Sequence, residues 1–256
     1  MNSLQGKTSL ITGGTSGIGL AVAKAFAGHD AQVVTSGRRD SGADVAAQFG
    51  ATFLKADVSS EDQLISMFEL AMQRVGKFDV LVLNAGIAED NASLDSAPRG
   101  SLERIFETNV YGVYWGLKYG PRYMNDNGSI IVTSSIAATV ATPGSTEYGA
   151  SKSSVSYMVR SAAIELAPRG IRVNAISPGA IGGTEMQVEE DGNPLAHFYG
   201  TIAPLGRMGR VDEIVGAYHF LAADCSRFVT GIDIPVDGGV STGLSLALVE
   251  KAMTPP

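Results

Sequence analysis

The sequence predicts a doubly wound α/β fold, a parallel sheet of seven strands with helices on both faces. Three observations carry this. Short apolar runs, as expected of strands covered on both sides, alternate with amphipathic helical stretches along the chain. A glycine-rich turn follows the first of these runs. The 256 residues, 45% hydrophobic and 18% charged, are enough for one large buried core and short for two. Residues 1–256 therefore read as one unit.

The first run, Thr8–Ile11, enters the stretch Thr12-Gly13-Gly14-Thr15-Ser16-Gly17-Ile18-Gly19. A helix over 17–28 leaves it, with Ile18, Val22, Ala25 and Phe26 recurring at helical spacing. This order brings backbone N–H groups and a helix N-terminus to one point, which suits a phosphate group. Glycines are needed where a pyrophosphate nears the backbone and a Cβ would clash. Taken alone, the motif also fits an ordinary tight turn.

The second strand, Gln32–Ser36, ends at Gly37-Arg38-Arg39-Asp40. A fold that binds NAD often places an acidic side chain at this point for the ribose 2′-hydroxyl, and this strand ends without one. Gly37 does not repel a 2′-phosphate. Arg38 can pair with it bidentately and stack on the adenine, with Arg39 as a second charge. NADP is thus predicted over NAD, against the competing reading of Arg38 as a solvated surface residue.

A helix over 42–49 and a strand at Thr52–Lys55 lead to Asp57-Val58. That carboxylate either accepts from an adenine amino group or caps the helix over 60–75 that begins after Ser59. The strand Val80–Leu83 ends at Asn84-Ala85-Gly86, small residues that admit a flat ligand or make a plain turn. A helix over 101–119 precedes the strand Ser129–Thr133 and then Ser134-Ser135.

The next helix, 147–167, opens with Tyr148-Gly149-Ala150-Ser151-Lys152, so Tyr148 and Lys152 share one face, a turn apart. A free tyrosine, with a pKa near ~10, is a poor base at neutral pH. A neighbouring ammonium favours its phenolate, and such a group can exchange a proton with an oxygen that a nearby serine hydroxyl holds. The strand Arg172–Ile176, a helix over 211–223 and the strand Asp233–Val236 complete the pattern, which residues 240–256 leave as a tail.

Composition narrows the partners. A net charge of −7, with no basic cluster beyond Arg38-Arg39, speaks against nucleic acid. The single cysteine, Cys225, excludes an intrachain disulfide and a cysteine-rich metal site, so no metal is expected. The polar start, Met1 to Thr8, is not a signal peptide, and no run has the length of a membrane span. A cytoplasmic protein is expected.

Between Gly6 and Gly239 the chain closely resembles the short-chain dehydrogenase/reductase family. The likeness rests on Thr12-Gly-x-x-x-Gly17-x-Gly19, Asp57-Val58, Asn84-Ala-Gly86, Asn109, Ser135, Tyr148-x-x-x-Lys152, Ser177-Pro178-Gly179 and Asp237-Gly238-Gly239, in the family's order and spacing. The resemblance implies a Rossmann fold and an NAD(P)-dependent oxidoreductase acting on a small carbonyl or alcohol. It implies Tyr148 as acid/base and Ser135, thirteen residues before it, as the group orienting the substrate oxygen, in preference to Ser134. Lys152 would lower the tyrosine pKa and bind the nicotinamide ribose, and Asn109 would hold a water in a proton relay.

By the same resemblance, the cofactor lies along Gly13, Thr15, Ser16, Gly17, Ile18 and Gly19. It continues past Gly37, Arg38, Arg39, Asp57, Val58, Asn84, Ala85 and Gly86 to Tyr148 and Lys152. Its amide lies near Pro178, Gly179 and Ile181. The family's Pro-Gly-x-x-x-Thr is one residue longer here, so Gly183 sits at the usual count and Thr184 is expected to take the amide.

Residues 184–203 are expected to form a substrate lid. Met186, Leu195, His197, Phe198 and Tyr199 would make a moderately apolar pocket with an acidic rim of Glu189, Glu190 and Asp191. His197 and Phe198 are candidates to touch substrate, though a solvent-facing His197 fits as well; His29 and His219 read as structural. The family implies a homotetramer. Tyr111, Tyr114 and Trp115 beside Gly112 and Gly116 suit close packing against a partner, or else against the sheet of their own subunit, and the apolar tail Leu244 to Val249 suits burial. The competing readings are a catalytically silent dinucleotide-binding regulatory protein, since fold does not fix function, and a methyltransferase on a similar sheet.

Overall fold

The computed structural model describes residues 3–88, 93–184 and 194–253, excluding the side chains of Pro194 and Leu195. In chain order the elements are β1 (Thr8–Thr12), α1 (Gly17–Gly28), β2 (Gln32–Gly37), α2 (Gly42–Ala47), β3 (Thr52–Lys55), α3 (Glu61–Val75), β4 (Phe78–Leu83), α4 (Ser101–Phe106), α5 (Gly112–Tyr119), β5 (Met124–Thr133), α6 (Thr146–Leu166), β6 (Arg172–Pro178), β7 (Ile181–Gly182), α7 (Pro194–Ile202), β8 (Gly209–Arg210), α8 (Val211–Ala222), β9 (Asp233–Val236) and α9 (Leu246–Met253).

Seven strands form one all-parallel sheet in the order β3-β2-β1-β4-β5-β6-β9. Successive residues of each central strand point to opposite faces, so Leu10, Leu81 and Ile130 enter one core while Ile11, Val82 and Ile131 enter the other. The helices α3, α5 and α6 cover the first face; α1 and α8 cover the second. Both faces being dry, the strands carry short apolar runs at their centres, such as Leu10-Ile11, Val33-Val34 and Ile130-Ile131-Val132. From β1 the order runs outward through β2 and β3, then from β4 outward through β5 and β6. The reversal opens a crevice at the carboxyl ends of β1 and β4, where such sheets take their ligands.

The structure departs from the expected elements at three places. The helix expected over 101–119 is broken by a π-helical turn, Glu107–Tyr111, between α4 and α5. Gly112 and Gly116 face Val58 and Leu83 of their own subunit rather than a partner, because only a bare Cα lets the helix lie that close. Tyr111 and Tyr114 point outward at 47% and 49% exposure, and Trp115 packs on its own core. A two-residue parallel pair, β7 with β8, lies outside the main sheet. The tail holds α9, capped by the Ser245 hydroxyl, which accepts from the Leu248 N–H at 3.1 Å and donates to the Thr201 carbonyl oxygen of the α7 end. No helix among the described residues is long and apolar enough to cross a membrane.

Candidate active site

The glycine turn leaves β1 at Thr12 and enters α1 through Ser16, whose extended backbone precedes the first helical bond, Leu20 N–H to the Ser16 carbonyl. The N–H groups of Gly17, Ile18 and Gly19 therefore precede any intrahelical acceptor. The first turn of α1 holds no acidic residue. Gly17 takes φ +50°, a conformation that disfavours a side chain. A Cβ on Gly19 would run into the Gly13 carbonyl oxygen and the Asn84 amide. The donor set and the tight cradle both fit the pyrophosphate of a dinucleotide.

Several expected cofactor residues have other tasks as well. Asn84 donates from Nδ2 to the carbonyl oxygens of Thr12 and Gly13 at 3.2 and 3.3 Å, so its side chain braces the turn. Asp57 accepts from the Ser59 N–H and hydroxyl at 3.0 and 2.7 Å, while Ser60 provides the cap of α3. Val58 lies against Gly112, and Gly179 against Asp237. Asp40 pairs with Lys55 at 2.8 Å, so exposed Arg38 at the end of β2 stands near an acid already engaged, and exposed Arg39 follows it. Of the two residues that compete for the nicotinamide amide, exposed Gly183 has nothing near its Cβ position. Thr184 lies against Gly17, 3.6 Å from the Cβ position there. The longer Pro-Gly run thus brings Thr184, not Gly183, to the glycine turn.

The catalytic candidates converge beyond the carboxyl end of β5. Ser135, nearly buried, accepts from the Ala137 N–H at 3.1 Å, and its hydroxyl is close enough to the Tyr148 phenol to pull the phenol's pKa down. Ser134 points away, bonded to Ser156 at 2.8 Å and to the Lys152 carbonyl at 3.3 Å, which removes it from the site. Lys152 is 4% exposed; its Nζ donates to the Thr133 carbonyl oxygen at 2.9 Å and stands 5.6 Å from the centre of the Tyr148 ring. Burial pulls this ammonium down to about 8.

Asn109, fully buried in the π-helical turn, pairs with the backbone of Ile87 through both amide atoms, at 2.8 and 2.9 Å, and donates to Ser151 Oγ at 3.1 Å. Its Oδ1 and Lys152 Nζ both border the Cβ position of Gly86, at 3.2 and 3.4 Å, so Gly86 is small because these two side chains meet there. A π-turn that re-aims one side chain recurs at functional sites.

One electrostatic expectation is corrected. The Tyr148 phenol is not held below its ordinary value. Burial pushes it above that value, the Ser135 hydroxyl opposes this, and the neighbouring Tyr199 phenol adds to the rise. The physical reason is burial, which penalises the phenolate more than the neutral phenol. At neutral pH Tyr148 thus keeps its proton.

The substrate side is partly in view. Met186, Glu189, Glu190, Asp191 and the side chain of Leu195 lie outside the described residues. His197 and Phe198, the latter 49% exposed, sit on the open side of α7, whereas Tyr199, edge-on to Phe198 at 5.3 Å, is the α7 residue felt by Tyr148. The sequence signal for Tyr199 was only its place beside two other lid candidates. His29 and His219 stack on each other at 4.2 Å, away from these residues in the α1–α8 layer. No group of three or more metal-ligating side chains occurs among the described residues.

Comparison with known proteins gives a consistent picture. A family model described as enoyl-(acyl carrier protein) reductase matches residues 13–241. An uncharacterized oxidoreductase of Methylorubrum extorquens is 38% identical, with 94% of this chain and 100% of the relative aligned. The cis-4-hydroxycyclohexanecarboxylate dehydrogenase of Sinomonas cyclohexanicum is 37% identical over 91% of this chain and 96% of its own. Among solved structures, a short-chain type dehydrogenase/reductase from Mycobacterium marinum superposes with a TM-score of 0.86 at 36% identity, covering 94% of this chain and 98% of that one.

Proposed function

The chain belongs to the short-chain dehydrogenase/reductase family, whose dehydrogenases use NAD(P) on small alcohols and carbonyls, and we propose that it transfers a hydride between NADP(H) and a ketone or secondary alcohol. The observation that carries this reading is the convergence of Ser135, Tyr148 and Lys152 at the carboxyl end of β5, next to the glycine turn. A silent regulatory protein or a methyltransferase has no use for that trio.

The N–H groups of Gly17 to Gly19 and Thr184 would hold the nicotinamide dinucleotide, which would supply or take the hydride. Ser135 donates to the substrate oxygen and fixes it beside Tyr148. In reduction Tyr148 gives its hydroxyl proton to the developing alkoxide, and in oxidation it takes the proton back. Lys152 holds the ribose and offers positive charge to the phenolate left behind, and Asn109 holds a water through which the proton is restored. Aligning two reactants in this way is a large share of the rate gain.

The relatives, with a hydroxycyclohexanecarboxylate and a borneol dehydrogenase among them, support a cyclic secondary alcohol as substrate. A panel of cyclic alcohols and ketones, followed at the nicotinamide absorbance in both directions, tests this. Turnover of the cyclic members supports the reading, and a panel without any turnover would sink it.

The whole chain acts as one catalytic unit, with residues 184–203 closing over the substrate and a cytoplasmic setting. It assembles as a homotetramer, supported by outward Tyr111 and Tyr114 and by exposed Phe228, Leu244 and Leu246. Sedimentation at micromolar concentration is expected to give a tetramer, and a monomer alone would refute it.

A further inference from the structure

We propose that Tyr218 is a positioning residue whose hydroxyl, through Thr133 and Asn84, holds the glycine turn and Lys152 in one register. This rests on reading the glycine turn as the dinucleotide site. The chemistry above makes no use of Tyr218, a fully buried phenol on the inward face of α8 with Ile214 and Leu221. A phenylalanine would fill the same space in this apolar layer, yet the hydroxyl lies 2.7 Å from Thr133 Oγ1.

The direction of each bond follows from who can donate. The carbonyl oxygens of Thr12 and Gly13 only accept, so Asn84 Nδ2 donates both its hydrogens to them. That turns Asn84 Oδ1 toward Thr133, 3.1 Å away, and obliges the threonine hydroxyl to donate its one hydrogen there. Thr133 Oγ1 therefore accepts from Tyr218. The chain runs one way, from Tyr218 through Thr133 and Asn84 to the turn, and each bond polarises the next. Burial pushes the Tyr218 phenol far up, against the pull of the Thr133 bond, so this donor keeps its proton at every working pH. Thr133 also offers its carbonyl oxygen to Lys152 Nζ at 2.9 Å. One residue at the end of β5 thus ties the catalytic lysine to the turn that takes the pyrophosphate.

The test measures NADPH and NADH dissociation constants by titration, without substrate, together with melting temperature. Tyr218→Phe and Thr133→Val are each expected to weaken dinucleotide binding by about five- to tenfold, the size of one lost hydrogen bond. The double variant should be no weaker than the poorer single one, because both break the same chain. Thr133→Ser, which restores the hydroxyl, should recover the affinity that Thr133→Val loses. If the variants lower the melting temperature but leave the dissociation constants at the wild-type value, or if the two effects multiply, Tyr218 is a packing residue and the proposal is overturned. Wild-type protein that binds neither dinucleotide would overturn the functional reading, and this proposal with it.

Discussion

Tyr148→Phe is expected to lower turnover by about 10²–10⁴-fold, the usual worth of a general acid, while cofactor binding stays near the wild-type value. The ring keeps its place over Lys152 Nζ and only the transferable proton is lost. The pH dependence gives a second handle. Burial raises the phenol above its ordinary range, so the acid form that carbonyl reduction needs is fully present at neutral pH and falls away only as pH passes the raised value. Alcohol oxidation needs the deprotonated form and should climb with pH. Residual turnover of Tyr148→Phe should lose the dependence that belongs to Tyr148. Steady-state rates in both directions across pH check this. A phenylalanine variant that turns over at near the wild-type rate would exclude Tyr148 as the acid.

The layered sheet is legible because its strands are dry on both faces: the adjacent apolar residues Leu10 and Ile11 enter different cores. Ser135 and Tyr148 are legible because their spacing in the chain is fixed by the strand end and helix start that hold them. The π-helical turn at 107–111 is not. Its residues keep a helical apolar pattern, and the partners that re-aim Asn109, Ile87 and Ser151, are 22 and 42 positions away. Strands of two residues, such as β7 and β8, carry no periodicity at all. Tyr218 is hidden for a different reason. It sits in the apolar stripe of α8, where a tyrosine reads as core, and only the position of Thr133 shows that its hydroxyl has a partner. The raised pKa of Tyr148 is equally invisible, since a lysine four residues on suggests the opposite shift, and the burial that outweighs it appears only in the fold.

Arg38→Ala is expected to lower kcat/KM for NADPH by roughly ten- to over a hundredfold, and to leave NADH nearly unchanged. The loss corresponds to one charge-assisted contact with the 2′-phosphate, about 1.5–3 kcal/mol. The argument starts at the end of β2, where Ser36 and Gly37 pair with Leu54 and Lys55 across the sheet. Gly37 carries no carboxylate to repel a phosphate, and a Cβ there would press on the Thr15 hydroxyl at 3.0 Å, so the strand end lies close to the glycine turn. Arg38 is the next residue and is exposed, free to swing over an adenine ribose seated against that turn. The obvious competitor for its charge, Asp40, is held by Lys55 at 2.8 Å. That ion pair is exposed and weak in itself, but it keeps the nearest carboxylate turned to another cation. Comparing kcat/KM for both cofactors in wild type and Arg38→Ala decides the matter. A wild type that prefers NADH, or a variant that loses both cofactors equally, takes Arg38 away from the phosphate.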